Sequence, residues 1–114
     1  MNCKIEWIEI PAPDLEKAKE FYSAIFGWKI SEYSPDYLIF ESGNMNGGMY
    51  KNRQPSDNGI CFSITVQSIE ETLNKIVKLG GQLVKEKYKI GKGLGFYASF
   101  SDPNGNVLEL WAEK

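Results

Sequence analysis

The chain contains no histidine, so any proton transfer or metal binding must use other side chains. Histidine is the usual general base near neutral pH and the commonest metal ligand. Carboxylates, tyrosines, lysines and two cysteines, Cys3 and Cys61, remain as groups that could do chemistry. The cysteines form no CxxC pair, which predicts two free thiols and argues against a zinc knuckle or a redox dithiol.

Alternation along the apolar segments predicts which of these groups lie together. Residues two apart in a strand share a face, so one face of each strand packs on helices and the other lines a concave side. We expect a flat organic ligand to be held there by aromatic and thioether side chains with a few polar groups. The predicted ligand-binding residues are Trp7, Glu9, Met49, Cys61, Ser63, Tyr97 and Trp111, with Glu109 as the candidate catalytic group.

Each candidate also has a non-functional interpretation. Glu109 could be a general base or a lone metal ligand, or only a partly hydrated carboxylate. Cys61 could be a thiolate nucleophile, but without a clear cationic neighbour a buried, inert thiol is favoured. The aromatic residues and Met49 could form a ligand-binding wall or simply fill the concavity.

An internal repeat predicts the elements that position these residues. A single shift superposes Asp14 on Ser68, both good helix N-caps, and Gly27 on Gly81. Apolar residues at three- and four-residue spacing predict a first helix from Leu15 to Phe26 and a second from about Ile69 to Leu79. The glycine after each helix marks its C-terminus.

Each helix is preceded by one strand-like segment and followed by three, so each half of the chain has the pattern βαβββ. Turn residues separate the segments. This pattern predicts an α+β fold of paired βαβββ modules whose mixed sheet curls around a concave cavity. The segments after the helices are Trp28 to Tyr33, Tyr37 to Glu41, about Gly48 to Lys51, Leu83 to Ile90, Phe96 to Ser101 and Val107 to Ala112.

Length and charge restrict the classes of partner. The 114 residues fit one domain, 1–114, with modules at about 5–51 and 59–112. The net charge of −2 comes without any basic stripe, which argues against nucleic acid. There is no apolar stretch of the roughly 18 residues that a membrane span requires. We therefore expect no membrane partner and a cytoplasmic location.

Two motifs resemble the vicinal oxygen chelate superfamily, which includes glyoxalases, bleomycin resistance proteins and extradiol dioxygenases. The first motif is residues 8–18 with Phe21-Tyr22 and Phe26-Gly27-Trp28, and the second is residues 100–110. The stretch 47–50 is similar to an uncharacterised branch related to lactoylglutathione lyase. The resemblance covers about Ile5 to Trp111 and implies two βαβββ modules around a cavity, often in a homodimer.

The same resemblance implies a divalent metal held by four side chains from the first, fourth, fifth and eighth strands. In this chain the four positions fall on Trp7, near Gly47 to Met49, on Cys61 and on Glu109. Only Glu109 is a usual ligand of the family. Structural zinc sites use four protein ligands and catalytic sites three with water, so we expect no metal cofactor. Binding of a hard cation through Glu9, Glu109 and waters is conceivable.

The leading hypothesis is a dimeric, metal-free protein that binds a small apolar or aromatic molecule, by analogy with drug-sequestering relatives. A second hypothesis is a glyoxalase-type lyase, isomerase or hydrolase that uses Glu109 with Glu9 or a nonstandard metal. A third is a non-catalytic subunit whose cavity is filled and which associates with other proteins. Fold alone cannot decide among these functions.

Overall fold

The structure is a computed structural model that describes residues 2–114. The chain divides into two compact units, Met1–Pro55 and Ser56–Lys114. Each unit contains one helix and one mixed four-stranded sheet, which confirms the predicted α+β class and the repeated βαβββ order. None of the helices within residues 2–114 is long and apolar enough to cross a membrane.

The first unit has the sheet order β1-β4-β3-β2, in which β1 pairs with β4 in parallel and the other pairs are antiparallel. Its helix packs Ala18, Phe21 and Tyr22 into the core. Trp28 stacks between the rings of Tyr22 and Phe40, at centroid distances of 5.0 and 4.6 Å. The elements are β1 (Trp7–Pro11), α1 (Leu15–Phe26), β2 (Lys29–Ser34), β3 (Tyr37–Glu41) and β4 (Asn46–Tyr50).

The second unit repeats this arrangement with the sheet order β5-β8-β7-β6. Its core contains Ile69 and Ile76 from the helix and Phe100, Leu108 and Leu110 from the sheet. Strand β5 has only three residues. The elements are β5 (Ser63–Thr65), α2 (Ile69–Lys78), β6 (Gln82–Lys89), β7 (Phe96–Ser101) and β8 (Val107–Ala112).

The helix boundaries follow the predicted caps. The side chain of Asp14 accepts a hydrogen bond from the N–H of Lys17 at 3.0 Å, and Ser68 accepts one from Glu71 at 3.2 Å. Gly27 ends α1 in the left-handed region at φ 70° and donates to the carbonyl of Ser23. These local contacts confirm both predicted helices, except that the second ends one residue earlier, with Leu79 as its cap.

Candidate functional site

Strand register places two rows of side chains on one face of the second unit's sheet, most of them partly or fully exposed. In the polar row, Glu109 lies opposite Ser63 on one side and opposite Ser99 on the other, and Ser99 lies opposite Lys85. In the aromatic row, Tyr97 lies between Trp111 and Tyr88. The sheet therefore brings together the predicted residues Ser63, Tyr97, Glu109 and Trp111 on one face.

Side chains contact one another both within the polar row and between the two rows. The Ser63 hydroxyl donates to Glu109 Oε1 at 3.2 Å, and Lys85 Nζ donates to the Tyr97 hydroxyl. Lys85 Nζ also lies 4.7 Å from the ring centroid of Tyr88 and 4.8 Å from that of Tyr97. The hydrogen bond to Tyr97 raises the pKa of Lys85, so this amine stays protonated at neutral pH. A protonated amine serves as a fixed cation and is a poor nucleophile.

Trp111 positions the turn between β6 and β7. Its indole N–H donates to the carbonyl of Leu94 at 2.8 Å. Gly95 has φ +85°, and a Cβ there would lie 2.7 Å from the Trp111 ring and 2.6 Å from the carbonyl oxygen of Ala112. Only glycine permits this approach. The turn thus fixes the indole and leaves Trp111 half-buried.

Cys61 precedes β5 and is exposed, so the predicted burial of this thiol is wrong. Partial desolvation and the negative charge of Glu109 raise the pKa of the Cys61 thiol. A raised pKa lowers the thiolate population, which agrees with the inert thiol of the sequence prediction. Cys3 and Cys61 are both free thiols, as predicted.

The first unit carries a different polar group on its own sheet. Trp7 Nε1–H donates to the Tyr37 hydroxyl at 3.0 Å. Desolvation, and then the nearby Glu9 carboxylate, raise the pKa of that hydroxyl. Arg53 Nε donates to Glu9 Oε2 at 2.7 Å. We call Trp7, Tyr37, Glu9 and Arg53 the relay. The sequence predicted Trp7 and Glu9 but missed Tyr37 and Arg53.

Met49 does not join this group, and its predicted place in the ligand-binding wall is wrong. It pairs with Ile10 on β1 and with Leu38 on β3, both of which are core residues. Its side chain is fully buried. Because faces alternate along a strand, the Ile10–Met49 row faces the core and the Glu9–Gly48 row faces the other side.

Comparison with known proteins decides the family. The model of the glyoxalase/bleomycin resistance protein/dioxygenase superfamily matches residues 4–110. The chain belongs to this superfamily. The structure of the genomically encoded fosfomycin resistance protein of Listeria monocytogenes has the same fold, with a TM-score of 0.77 at 22% identity over 98% of this chain and 94% of that one.

Two sequence relatives agree with membership in the glyoxalase superfamily. A glyoxylase-like domain-containing protein of Didymella fabae is 29% identical over 94% of this chain and 91% of its own length. A Mycobacterium bovis protein with a glyoxylase name is 24% identical over 92% of this chain. The chain spans 44% of the length of that second relative.

The metal-binding positions that the superfamily resemblance implies do not fit an ion in this chain. The Trp7 indole is a donor and is bonded to Tyr37. The second position falls near Gly47 to Met49, where the two glycines have no side chain and Met49 is fully buried. Cys61 and Glu109 remain, and no group of three or more His, Cys, Asp or Glu suited to a metal ion occurs within residues 2–114. The donor set falls short of what zinc and similar ions require.

Proposed function

We propose that this protein binds a small, flat apolar or aromatic molecule without a resident metal, on the exposed sheet face of the second unit. The observation that carries the proposal is the aromatic row lying beside the polar row. Rings of Trp111, Tyr97 and Tyr88 offer apolar area, and small-molecule sites combine such area with a few placed polar groups. Here the polar groups are Lys85, Glu109 and Ser63.

The fixed positive charge of Lys85 indicates which chemical groups the ligand should carry. Its amine is bonded to Tyr97 and lies over two rings, so its position is set before a ligand arrives. Preorganised groups lose less entropy on binding. A ligand with an anionic or strongly accepting end would contact Lys85, with its ring against Trp111.

Nuclear magnetic resonance of the three tryptophan indoles tests the proposal directly. Trp7, Trp28 and Trp111 each give one indole N–H signal, which Trp→Phe variants assign. On titration of ¹⁵N-labelled protein with 2-naphthoate, we expect a saturable shift of the Trp111 signal. Trp28 is only 9% exposed in the first unit and should not move.

Two lysine variants supply the matched comparison. Lys85→Met should weaken 2-naphthoate binding about tenfold, as expected for loss of a contact to a charged group. Lys89→Met is the control, because Lys89 pairs with Phe96 on the opposite face of the same strand. Equal affinity in both variants, or no saturable shift of Trp111, would reject the proposal.

A lyase or isomerase that uses Glu109 is the second candidate function. The observation that favours it is that Glu109 has a hydroxyl donor, Ser63, and shares its row with the cation of Lys85. A carboxylate so placed can act as a general base. Turnover of a bound compound that is lost in Glu109→Gln would support this function, whereas binding without turnover supports sequestration.

The expected homodimer and cytoplasmic location are part of the same proposal. Leu83 and Val84 on the edge strand β6 are 44% and 53% exposed. Apolar side chains grouped on an edge favour association, although single exposed ones are common. Sedimentation equilibrium of the untagged chain tests the dimer. A subunit specialised for association would dimerise or bind a protein partner without binding any aromatic probe.

A further inference from the structure

The relay depends on Tyr37 reaching across a neighbouring row of the first sheet. Tyr37 lies opposite Tyr50, whereas Trp7 lies opposite Asn46, and the Glu9–Gly48 pair lies between them. A Cβ on Gly48 would overlap the Tyr37 hydroxyl and ring. The Tyr37 side chain therefore fills the space above Gly48 and brings its hydroxyl to the Trp7 indole.

The chemistry of the groups fixes the direction of each hydrogen bond in the relay. An indole N–H can only donate, so the Tyr37 oxygen accepts from Trp7, and the Arg53 guanidinium donates to Glu9. Desolvation raises the pKa of Tyr37, and the Glu9 carboxylate adds to this shift. Tyr37 thus remains a protonated donor at neutral pH. Glu9 is the acceptor at which the relay ends.

Glu9 retains acceptor capacity after these contacts. An ionised carboxylate offers roughly four acceptor positions, and Arg53 uses one of them. The Glu9 side chain is 26% exposed, so a ligand can approach it. Arg53, the only arginine of the chain, balances its charge.

An aromatic surface lies two residues away on the same face of β1 as this acceptor, and an open space adjoins that surface. Trp7 is 48% exposed although its indole N–H is bonded. Trp7 and its partner Asn46 line an open pocket of about 390 Å³ together with residues 4–6 and 43–45. A flat ring can lie against the indole there.

We propose that the first unit holds a second ligand subsite, in which Glu9 accepts a hydrogen bond from an uncharged donor on a flat molecule that packs on Trp7. The donor is a hydroxyl, an amide N–H or a neutral amine. This inference rests on the proposed function in one respect, that the protein binds small molecules. It concerns other residues and another class of ligand.

The charges around the relay favour a neutral donor over an ion. The Glu9–Arg53 pair has no net charge, so it gives no long-range attraction to an anion or a cation. A divalent cation would meet one carboxylate with a guanidinium 2.7 Å away. A neutral donor instead satisfies the remaining lone pairs of Glu9 without disturbing Arg53.

A matched series of naphthalenes distinguishes binding at this subsite from binding on the sheet face of the second unit. The probes are 2-naphthol, which is an uncharged donor at pH 7, its methyl ether, which has no donor, and 2-naphthoate. We expect 2-naphthol to shift the Trp7 indole signal saturably, with binding at least about tenfold weaker for the ether. A Trp7 shift that is as strong with the ether or with 2-naphthoate would overturn the inference.

Variants test whether Glu9 is the acceptor. Glu9→Gln should weaken 2-naphthol binding at Trp7 severalfold, and Glu20→Gln, an exposed glutamate on α1, should not. Tyr37→Phe keeps the ring and should move the Trp7 signal of the free protein, because the indole loses its acceptor. A 2-naphthol shift that is unchanged in Glu9→Gln, or confined to Trp111, would refute the subsite, and the second of these results would leave the proposed function intact.

Discussion

The hydroxyl of Tyr37 occupies the space in which a side chain at Gly48 would have to lie. The superfamily resemblance implies a metal ligand near Gly47 to Met49, and a side-chain ligand at Gly48 would require a Cβ there. Tyr37 and Gly48 therefore form a matched pair, since the ring fits only because the glycine has no Cβ. The Tyr37 ring therefore leaves no room for a metal-binding side chain at Gly48.

Gly48→Ala should destabilise the protein by about 1–3 kcal/mol, the usual cost of overpacking. Urea unfolding measures the change, with Gly59→Ala as the control because a Cβ there meets only Ser56 Oγ at 3.4 Å. In a Tyr37→Ala background the cost of Gly48→Ala should shrink, because the overlapping ring is gone. If Gly48→Ala lowers the free energy of unfolding equally in the wild-type and Tyr37→Ala backgrounds, overlap with Tyr37 is not the cause of the destabilisation.

The sequence predicted the elements well where the signals are local. Asp14 and Gly27 bound α1 through contacts within a few residues, so its predicted limits match the structure. Strand β4 was predicted from Gly48 but begins at Asn46. Its two glycines give no propensity signal, and the strand is defined by pairing with β1 and β3.

The candidate site was less predictable because its contacts join residues far apart in sequence. Tyr37 lies 30 residues from Trp7, and Arg53 lies 44 from Glu9. No local pattern reports such pairs. Strand alternation did group Ser63, Glu109 and Trp111. It did not identify Lys85, because only the pairing of β6 with β7 places that residue beside Tyr97.

Asp102→Ala should cost about 3 kcal/mol in free energy of unfolding, because it leaves buried donors without an acceptor. Asp102 is 4% exposed, and its Oδ1 accepts from the N–H groups of Asn104 and Asn106 at 2.9 and 3.0 Å. Asp102→Asn keeps this oxygen and should cost less. Asp57→Ala, at an exposed loop position, is the control. Equal effects of the Ala and Asn variants would contradict this account.

Alkylation of Cys61 by iodoacetamide should be slower than that of an ordinary peptide thiol at pH 8. The folded-state pKa is raised, first by desolvation and then by Glu109, so the thiolate fraction is lower at every pH below that value. Glu109→Gln removes the repulsion, which lowers the pKa of the Cys61 thiol and should speed the reaction.

Mass spectrometry in a Cys3→Ser background gives the Cys61 rate from pH 6 to 10. The midpoint of the pH profile should shift to lower pH in Glu109→Gln and stay in place in Glu113→Gln, an exposed carboxylate of the same unit. An unchanged profile in Glu109→Gln would mean that the carboxylate does not act on the thiol.

Divalent ions should leave the melting temperature of EDTA-treated protein unchanged. A specifically bound ion stabilises the native state by linkage, and this chain offers only Cys61 and Glu109 at the implied ligand positions. Zinc, nickel, manganese and magnesium are each titrated into wild type and Glu109→Gln. A saturable rise that disappears in the variant would reject metal-free binding and favour a metal-assisted lyase, because Glu109 would then be acting as a ligand. A rise that persists in the variant would place the ion at groups other than Glu109.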